Sequence, residues 1–429
     1  MGDARCVIPG FFPLDEELGL VAGHFTPHVY EGLTRLAAWM PFGRAASEAG
    51  YFLHVSVSEA TVRRHSEAAG AAYVAVQTQA VEQLEGEGSP TVADAAKQFM
   101  SVDGAFVPLV GGEWAEVKTL VLGTVGAPRQ VKGLTTVKSK GETVIHTSAL
   151  SYFSRLTDAT TFQRLALVET QRRGLDKADE VGAVTDGSEW CQGFIDFHRP
   201  DAVRILDFPH GAEYVAAIGQ AAFEDNPAAV HPWLAEQLHY LKQDGPRPVL
   251  TAARELAVAH PDRIELAQAL AYLTKREPQL DYPSFQAAGW PIGDGAVESA
   301  NKLVVEARLK GSGMHWARDS VNPMLALRTI ACNDRWDEAW PQITHQWRSQ
   351  AAPLRATALH QQPPDRPSTA PLLHQTDTLP TLPSVPTPLP ASTPRADQPK
   401  LPYRPPASHP WRRPFLLKTK RQCAQSQSP

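Results

Sequence analysis

The chain has 429 residues, 43% of them hydrophobic, and a formal net charge of −5. This length supports two or three domains with their own cores and excludes a binding peptide or a small scaffold. No stretch approaches the roughly 18 consecutive apolar residues of a membrane helix, and the N-terminus lacks the pattern of a secretion signal. We therefore expect a soluble, cytoplasmic protein without membrane partners.

Charge is unevenly distributed along the chain. From Ala352 onward there are ten Lys+Arg and three Asp+Glu, a net of +7, so the first 351 residues carry 31 minus 43, or −12. An acidic body counts against nucleic-acid binding unless basic residues are concentrated on one face and some of the acids hold metal. The cysteines match neither a disulfide framework nor a complete zinc-ligand spacing, which predicts reduced thiols at Cys6, Cys191, Cys332 and Cys423.

Residues 26–95 are predicted to be helical, because their apolar residues recur at helical intervals. Ser58 can cap a helix that begins at Glu59, and the segment HVSV can turn the chain before it, which is the layout of a helix-turn-helix. The start of that helix would then reach a major groove. An ordinary capped helix in a bundle fits the spacing equally well. The groove-reading candidates are Thr61, Arg63, Arg64 and His65.

From about residue 97 the pattern changes to strands. We predict strands at residues 98–110, 114–125 and 143–149, a helix at about 150–173, a strand at 180–186, a helix at 188–198 and a strand at 202–208. This order suits a mixed sheet with helices on both faces. Residues 210–284 are predicted to be helical, and one more helix spans residues 293–311. Residues 346–429 are rich in proline and predict a disordered tail. Its basic end could add nonspecific DNA affinity, but a solvated tail without a specific role is the favoured interpretation.

Three carboxylates could form a metal site. Asp103 lies within an apolar strand, where a lone carboxylate is costly unless a partner such as a divalent cation compensates it. Asp186 ends the apolar run VGAVTD, a place where strands deliver functional side chains. Glu298 stands in the first turn of a helix. Together they could converge on two Mg²⁺ ions about 3.5–4 Å apart, which clamp a phosphodiester.

Simpler interpretations fit the same residues. Asp103 and Asp186 each precede a glycine, and Asp-Gly pairs are typical of turns. The residues around the third acid are spaced by four, the pattern of a solvated helix face with ion pairs; they are Glu298, Lys302, Glu306 and Lys310. Spacing alone therefore indicates a candidate metal site and no particular reaction.

Three blocks contain these acids: SVDGAFVPLVGGEWAEVKTLVLGTV, AVTDGSEWCQGFIDFHRPDAVRILDFPHGAEYV and GDGAVESANKLVVEARLKGSGMHWARDSVNPMLALRTIACNDRW. They resemble the DDE transposases of bacterial insertion sequences, of the ISKra type, which are distantly similar to Mutator-like transposases. The likeness runs from about Phe12 to Trp340. It implies an α/β fold with an RNase H-like mixed sheet core, formed by residues 96–209 and 285–345 and interrupted by an α-helical insertion at 210–284.

The resemblance also implies roles for particular residues. Asp103 in SVDG, Asp186 in VTDG and Glu298 in GAVES would be the catalytic acids and the ligands of two Mg²⁺ ions, with Mn²⁺ as a substitute. The segment LDFPH resembles an element that related transposases keep after the second acid, which implies supporting roles for Asp207 and His210. A strand-ending Asp and a helix-capping His explain that pair equally well.

The expected function is metal-dependent DNA cleavage and strand transfer during transposition of an insertion sequence. The segment VSVSEATVRRHSEAAG resembles the family's helix-turn-helix, which favours DNA contacts there. The expected partners are terminal inverted repeats, target DNA and further copies of the chain, in a homodimer or larger synaptic complex associated with the nucleoid. Basic residues near the third acid are candidates for phosphate contacts: Lys302, Arg308 and Lys310.

Family members usually begin with a longer region that contains a cysteine-rich, zinc-ribbon-like element, whereas only Cys6 stands in this position here. Residues 1–25 are therefore interpreted as the remnant of a truncated N-terminal region. Two alternative functions remain open: an RNase H-like metal nuclease without strand transfer, and a non-catalytic helix-turn-helix DNA-binding regulator.

Overall fold

A computed structural model of the chain describes residues 25–87, 95–131 and 142–360. The described part begins with three helices, α1 (Pro27–Trp39), α2 (Phe42–Phe52) and α3 (Glu59–Glu87), so the predicted N-terminal helical region is confirmed. Helix α3 begins where its capping residue predicts, because Ser58 Oγ accepts a hydrogen bond from the Thr61 backbone N–H at 3.2 Å. Residues 1–24 lie outside the described residues.

Seven strands follow, interleaved with short helices. The strands are β1 (Lys97–Pro108), β2 (Trp114–Val125), β3 (Arg129–Val131), β4 (Glu142–Val144), β5 (Thr147–Arg155), β6 (Glu180–Thr185) and β7 (Val203–Leu206). Five of them form one sheet in the order β5-β2-β1-β6-β7, while β3 pairs with β4. The first three strands of the large sheet pair antiparallel, and β6 and β7 continue it in parallel. The predicted mixed α/β sheet is thus confirmed.

One element was predicted wrongly. The segment 150–155 was expected to begin a helix, but it continues strand β5, where Ser151 pairs with Leu122 and Phe153 pairs with Leu120. Aromatic residues and a short alternation of polar and apolar residues are compatible with an edge strand as well as with a helix. Here the pairing with β2 makes the segment a strand. The helical part starts only after Asp158, whose carboxylate accepts from Thr161 N at 2.9 Å. It comprises α4 (Ala159–Leu165), α5 (Leu167–Arg172) and a 3₁₀ turn at Leu175–Lys177.

Helices cover both faces of the sheet. Successive side chains of β1 point to opposite faces, so they contact different helices. Met100 and Val102 face α4 and α6 (Glu189–His198), which contribute Phe162 and Phe194. Phe99 faces a helical lobe on the opposite side. The lobe comprises α7 (Phe208–Ala222), α8 (Pro227–Gln243), α9 (Pro246–Ala259), α10 (Ile264–Lys275), a 3₁₀ turn at Glu277–Gln279 and α11 (Tyr282–Ala287).

The final segments return to the sheet and to the N-terminal helices. They are α12 (Gly295–Ala300), a π-helical turn at Asn301–Glu306, α13 (Ala307–Leu309), α14 (Arg318–Cys332) and α15 (Trp336–His360). The single helix predicted over residues 293–311 is therefore interrupted by a π turn. Helix α15 also extends past residue 346, where the tail was predicted to begin; residues 361–429 lie outside the described residues.

Two further sequence expectations can be compared with the described residues. Cys191 and Cys332 are free thiols, as predicted, while Cys6 and Cys423 lie outside the described part. None of the described helices has the length and apolar character needed to cross a membrane.

Helices α3 and α14 cross at a point where their backbones nearly touch. A Cβ atom on Gly70 would lie 2.8 Å from the Cα of Pro323 and closer still to its carbonyl group. No side chain can move aside there, because the obstacle is backbone. Gly86, in the same helix, faces open space.

We therefore expect Gly70→Ala to lower the free energy of unfolding by about 1–3 kcal/mol through overpacking. Gly86→Ala should leave it unchanged or raise it by up to about 1 kcal/mol, since alanine favours the helix. Urea unfolding of both variants measures the difference. Equal stability of the two variants would contradict the close crossing.

Candidate active site

Parallel pairing of β1 with β6 brings two of the predicted acids together. The register places Met100 opposite Ala183. Asp103 follows Met100 by three residues and Asp186 follows Ala183 by three residues, so both acids stand at the same level on neighbouring strands. The hydroxyl of Ser101 donates to Val184 O at 2.6 Å and continues this register towards the acids.

Asp103 lies inside the strand and not in a turn. It pairs with Thr119 of β2, so the turn interpretation of its Asp-Gly pair is wrong. Burial raises the pKa of the Asp103 carboxyl, and the nearby negative charge of Asp186 raises it further. A hydrogen bond from Asn301 Nδ2 to Asp103 Oδ2, 2.8 Å long, opposes that shift. Asp103 is therefore a desolvated carboxylate that lacks a full counter-charge.

Asp186 lies in a tight turn at the end of β6, as its Asp-Gly pair predicts. Its Oδ1 accepts from Ser188 N at 2.8 Å, and Gly187 has a φ of +76°. The helical lobe holds this turn from outside. Tyr272 of α10 donates its hydroxyl to Asp186 O at 2.6 Å, and Arg276 Nε donates to Gly187 O at 2.9 Å. A Cβ on Gly187 would meet both side chains, so only glycine fits.

Asp207 and His210 are also in contact. Asp207 caps a helix, and its carboxylate forms an ion pair with His210. Asp207 is 1% exposed and caps α7, accepting from both the backbone N–H of His210, at 3.1 Å, and its Nδ1, at 3.0 Å. The hydrogen bond to Asp207 raises the pKa of His210 to about 9. Asp207 Oδ1 also accepts from Asp294 N at 2.8 Å. The capping residue is thus Asp207 and not His210, and the same carboxylate also binds the loop before α12.

Glu298 lies in the first turn of α12, as predicted, but its side chain points into solvent. It is 64% exposed and forms an ion pair with Lys302, with 2.6 Å between Oε1 and Nζ. Glu306 and Lys310 form the second such pair at 2.7 Å, so the solvated-face interpretation holds for this helix. Among the described residues, no hydrogen bond or ion pair joins Glu298 to Asp103 or Asp186.

The predicted DNA-contacting residues of α3 separate into two groups. Arg63 and Arg64 are exposed. Thr61 is half-buried, with its hydroxyl 2.9 Å from Ser58 Oγ. His65 packs edge-on against the ring of Tyr30, with centroids 4.8 Å apart, and burial lowers its pKa. Only the two arginines present their charge to solvent.

Arg308, proposed as a phosphate contact, is enclosed by protein. It is 1% exposed, its Nε donates to Ala37 O at 2.8 Å, and its guanidinium lies 4.7 Å from the ring centre of Phe42. A guanidinium held in this way by backbone and aromatic rings cannot reach DNA without unfolding its surroundings. The expectation for Arg308 is therefore corrected, whereas Lys302 is exposed and Lys310 half-buried.

Two groups of side chains could hold a metal ion. Asp207, His210 and Asp294 offer donor atoms that all lie within 4.8 Å of one another. In the structure these groups bind one another, since His210 Nδ1 lies 3.0 Å from Asp207 Oδ2 and Asp207 Oδ1 accepts from Asp294 N at 2.8 Å.

Asp103 and Asp186 offer only oxygen donors, which suit Mg²⁺. Beside them, Asn301 Oδ1 is buried and has no hydrogen-bond partner in the described structure. A half-buried carboxylate, a second acid and an unpartnered amide oxygen are the kinds of donor that could hold a divalent cation here.

Sequence analysis missed several residues of this site. Asn301, Tyr272 and Arg276 carry no pattern that marks them, because each acts on a residue far away along the chain. Asp294 lies in the block GDGAVES, four residues before the predicted acid Glu298, and was not singled out. Burial raises the pKa of Asp294, and the charge of Asp207 raises it further.

Comparison with models of known protein families finds no match for this chain, and no curated protein matches it. The functional assignment therefore depends on the arrangement of the residues and on the sequence blocks that contain them.

The contact between the helical lobe and the Asp186 turn can be tested directly. Tyr272→Phe removes only the hydroxyl that binds Asp186 O, so we expect the free energy of unfolding to fall by about 1 kcal/mol. Tyr240→Phe removes an exposed hydroxyl from the same lobe and should leave stability unchanged. Chemical denaturation measures both, and an unaffected Tyr272→Phe variant would argue against the contact.

Proposed function

We propose that the protein is a DDE transposase that cleaves DNA and transfers strands with bound divalent metal ions. The observation that carries the proposal is the placement of Asp103 and Asp186 at one level of two parallel, adjacent strands. Their setting in a mixed sheet, interrupted by a helical lobe before the last acid, supports an RNase H-like core. The sequence blocks around the acids point to the same family.

Asp103, Asp186 and Glu298 would hold the metal ions, Mg²⁺ or Mn²⁺. Bound there, such ions would supply Lewis-acid activation of a water and charge stabilisation for an in-line displacement, so no covalent enzyme intermediate would be needed. The protein fixes the positions of the acids: Asp103 is half-buried within β1, and Tyr272 and Arg276 hold the backbone beside Asp186. A rigid pair of carboxylates needs little rearrangement when it binds a cation.

Glu298 can join this pair at little cost. Residues three apart on a helix are neighbours, and Asn301, three residues after Glu298, contacts Asp103. The ion pair that Glu298 makes with Lys302 is exposed on both sides and so contributes little stability. A side-chain rotation that exchanges Lys302 for a cation is therefore easy.

Asp207 and His210 support the site without entering it. Asp207 binds the backbone of Asp294, the residue that precedes α12, and thereby fixes the start of the helix that carries Glu298. Protonated His210 balances the negative charge of Asp207 and Asp294, and it also lowers the pKa of Asp103. Its positive charge moderates repulsion among the acids.

DNA contacts are assigned to the exposed cations. Arg63 and Arg64 at the start of α3 would bind terminal repeats, and Lys302 and Lys310 would contact phosphates near the cleaved bond. Joining two ends requires a homodimer or larger synaptic complex, working in the cytoplasm at the nucleoid.

The first test is cleavage of DNA that carries the ends flanking this gene. Asp103→Asn, Asp186→Asn and Glu298→Gln should each reduce Mg²⁺-dependent cleavage by at least about 100-fold, since each removes a metal ligand. DNA binding should survive. Asp294→Asn is the matched control, an acid of the same region outside the proposed ligand set, and should retain more activity than any of the three.

Each other outcome points to a different conclusion. Cleavage without joining of pre-cut ends to a second DNA would indicate a metal nuclease. Sequence-specific binding without cleavage by the wild type would indicate a regulator. If Asp294→Asn abolishes cleavage while Glu298→Gln does not, the third acid is Asp294.

A second test concerns DNA binding by α3. The double variant Arg63→Gln/Arg64→Gln should bind terminal DNA more weakly, and the slope of log K against log salt should decrease by about 1–2, because up to two phosphate contacts are lost. Arg247→Gln/Arg254→Gln removes the same charge from exposed positions of α9 and should change neither quantity. Fluorescence anisotropy over a salt series measures both, and equal effects of the two pairs would refute the assignment.

A further inference from the structure

Asn301 is a buried carboxamide whose nitrogen has a hydrogen-bond partner among the described residues and whose oxygen has none. It is 5% exposed, and its Nδ2 donates to Asp103 Oδ2 at 2.8 Å. Its Oδ1 is buried and has no hydrogen-bond partner among the described residues. An unpaired buried oxygen is unfavourable, so such an atom requires an explanation.

The orientation of this carboxamide is fixed by chemistry. An ionised carboxylate can only accept hydrogen bonds, so the group that faces Asp103 must be the amide N–H₂ and not the oxygen. Exchanging the two would place two acceptors against each other. The unpartnered atom of Asn301 is therefore the oxygen, and it belongs to the same small group as the Asp103 carboxylate.

The backbone conformation is also unusual at Asn301. Asn301 opens the π-helical turn Asn301–Glu306, which follows directly on α12. Such single π turns are uncommon and are often found at functional sites. The turn buries Val304 and Val305 along with Asn301, whereas Lys302 faces solvent. The chain thus presents the carboxamide inwards, beside the proposed acids.

We propose that Asn301 Oδ1 is a ligand of the divalent cation that Asp103 and Asp186 hold, in addition to the role of its amide in orienting Asp103. This inference rests on the proposed metal-dependent function. Amide oxygens are ordinary ligands of hard cations, and they add coordination without adding negative charge. A neutral ligand suits a site to which Asp103, Asp186 and, after the proposed rotation, Glu298 would supply three carboxylates.

The experiment measures Mn²⁺ binding to the full-length protein by electron paramagnetic resonance, with no DNA present. Asn301→Leu removes both polar atoms in a similar volume, and we expect the dissociation constant to rise by about 10–100-fold. Asn301→Asp keeps an oxygen at the position of Oδ1 but loses the N–H₂ donor, and it should bind Mn²⁺ at least as tightly as wild type. Asn322→Leu, which removes a carboxamide that binds the backbone of Leu156, is the control and should leave the affinity unchanged.

Several results would overturn the proposal. If Asn301→Asp weakens Mn²⁺ binding as much as Asn301→Leu does, the residue acts only through its amide N–H₂ on Asp103. Unchanged affinity in Asn301→Leu would show that Asn301 has no part in binding. The thermal unfolding midpoint in EDTA checks that each variant folds; if Asn301→Leu does not, Asn301→Ser makes the same comparison.

A different experimental result would contradict the proposed metal-dependent function itself. Wild-type protein that binds no Mn²⁺, or that binds it equally well after Asp103→Asn, would remove the metal site itself and the inference with it. Binding that depends on Asp103 but not on Asn301 would overturn the inference alone.

Discussion

Parallel pairing of β1 with β6 is the constraint on which the site depends. The two strands are covered on both faces, with Phe99, Met100, Val181 and Ala183 in the core. Asp103 and Asp186 stand just beyond the last paired residues, Met100 and Ala183. A one-residue slip of β6 would turn Asp186 to the opposite face and bury polar groups in the core. The packing that fixes the register therefore also fixes the distance between the acids.

Separate parts of the chain then hold the two acids. Helix α10 of the lobe binds the backbone at Asp186 through Tyr272, while the π turn after α12 binds Asp103 through Asn301. Neither contact can form until distant segments have packed onto the sheet. Their hydrogen bonds partly offset the cost of keeping carboxylates away from water, and a bound cation, as proposed, would offset the rest.

Patterns within one segment predicted its secondary structure well. Contacts between distant segments could not be predicted from the sequence. Continuous apolar runs located β1, β2, β6 and β7, and the capping residue Ser58 located the start of α3. Residues 150–155 were wrongly predicted as helical, because their side chains are compatible with both helical and strand periodicity. Only pairing with β2 shows that they form a strand. Arg308 looked like a surface cation, since a sequence does not show that Ala37 O and two aromatic rings will surround it. Placing Asp103 beside Asn301 requires the whole fold, as they are 198 residues apart.

The N-terminal helices and the segment after Glu298 are parts of one core, and two buried arginines join them. Arg308 binds Ala37 O and Arg328 binds Ala38 O at 3.1 Å, at the C-terminal end of α1, where unpaired carbonyl groups favour positive charge. Arg328 also donates to the carbonyl of Leu303 in the π turn. Burial lowers the pKa of Arg308 to about 10, so it remains charged at neutral pH. If α3 binds DNA as proposed, this shared core would hold that DNA in a fixed position relative to the acids.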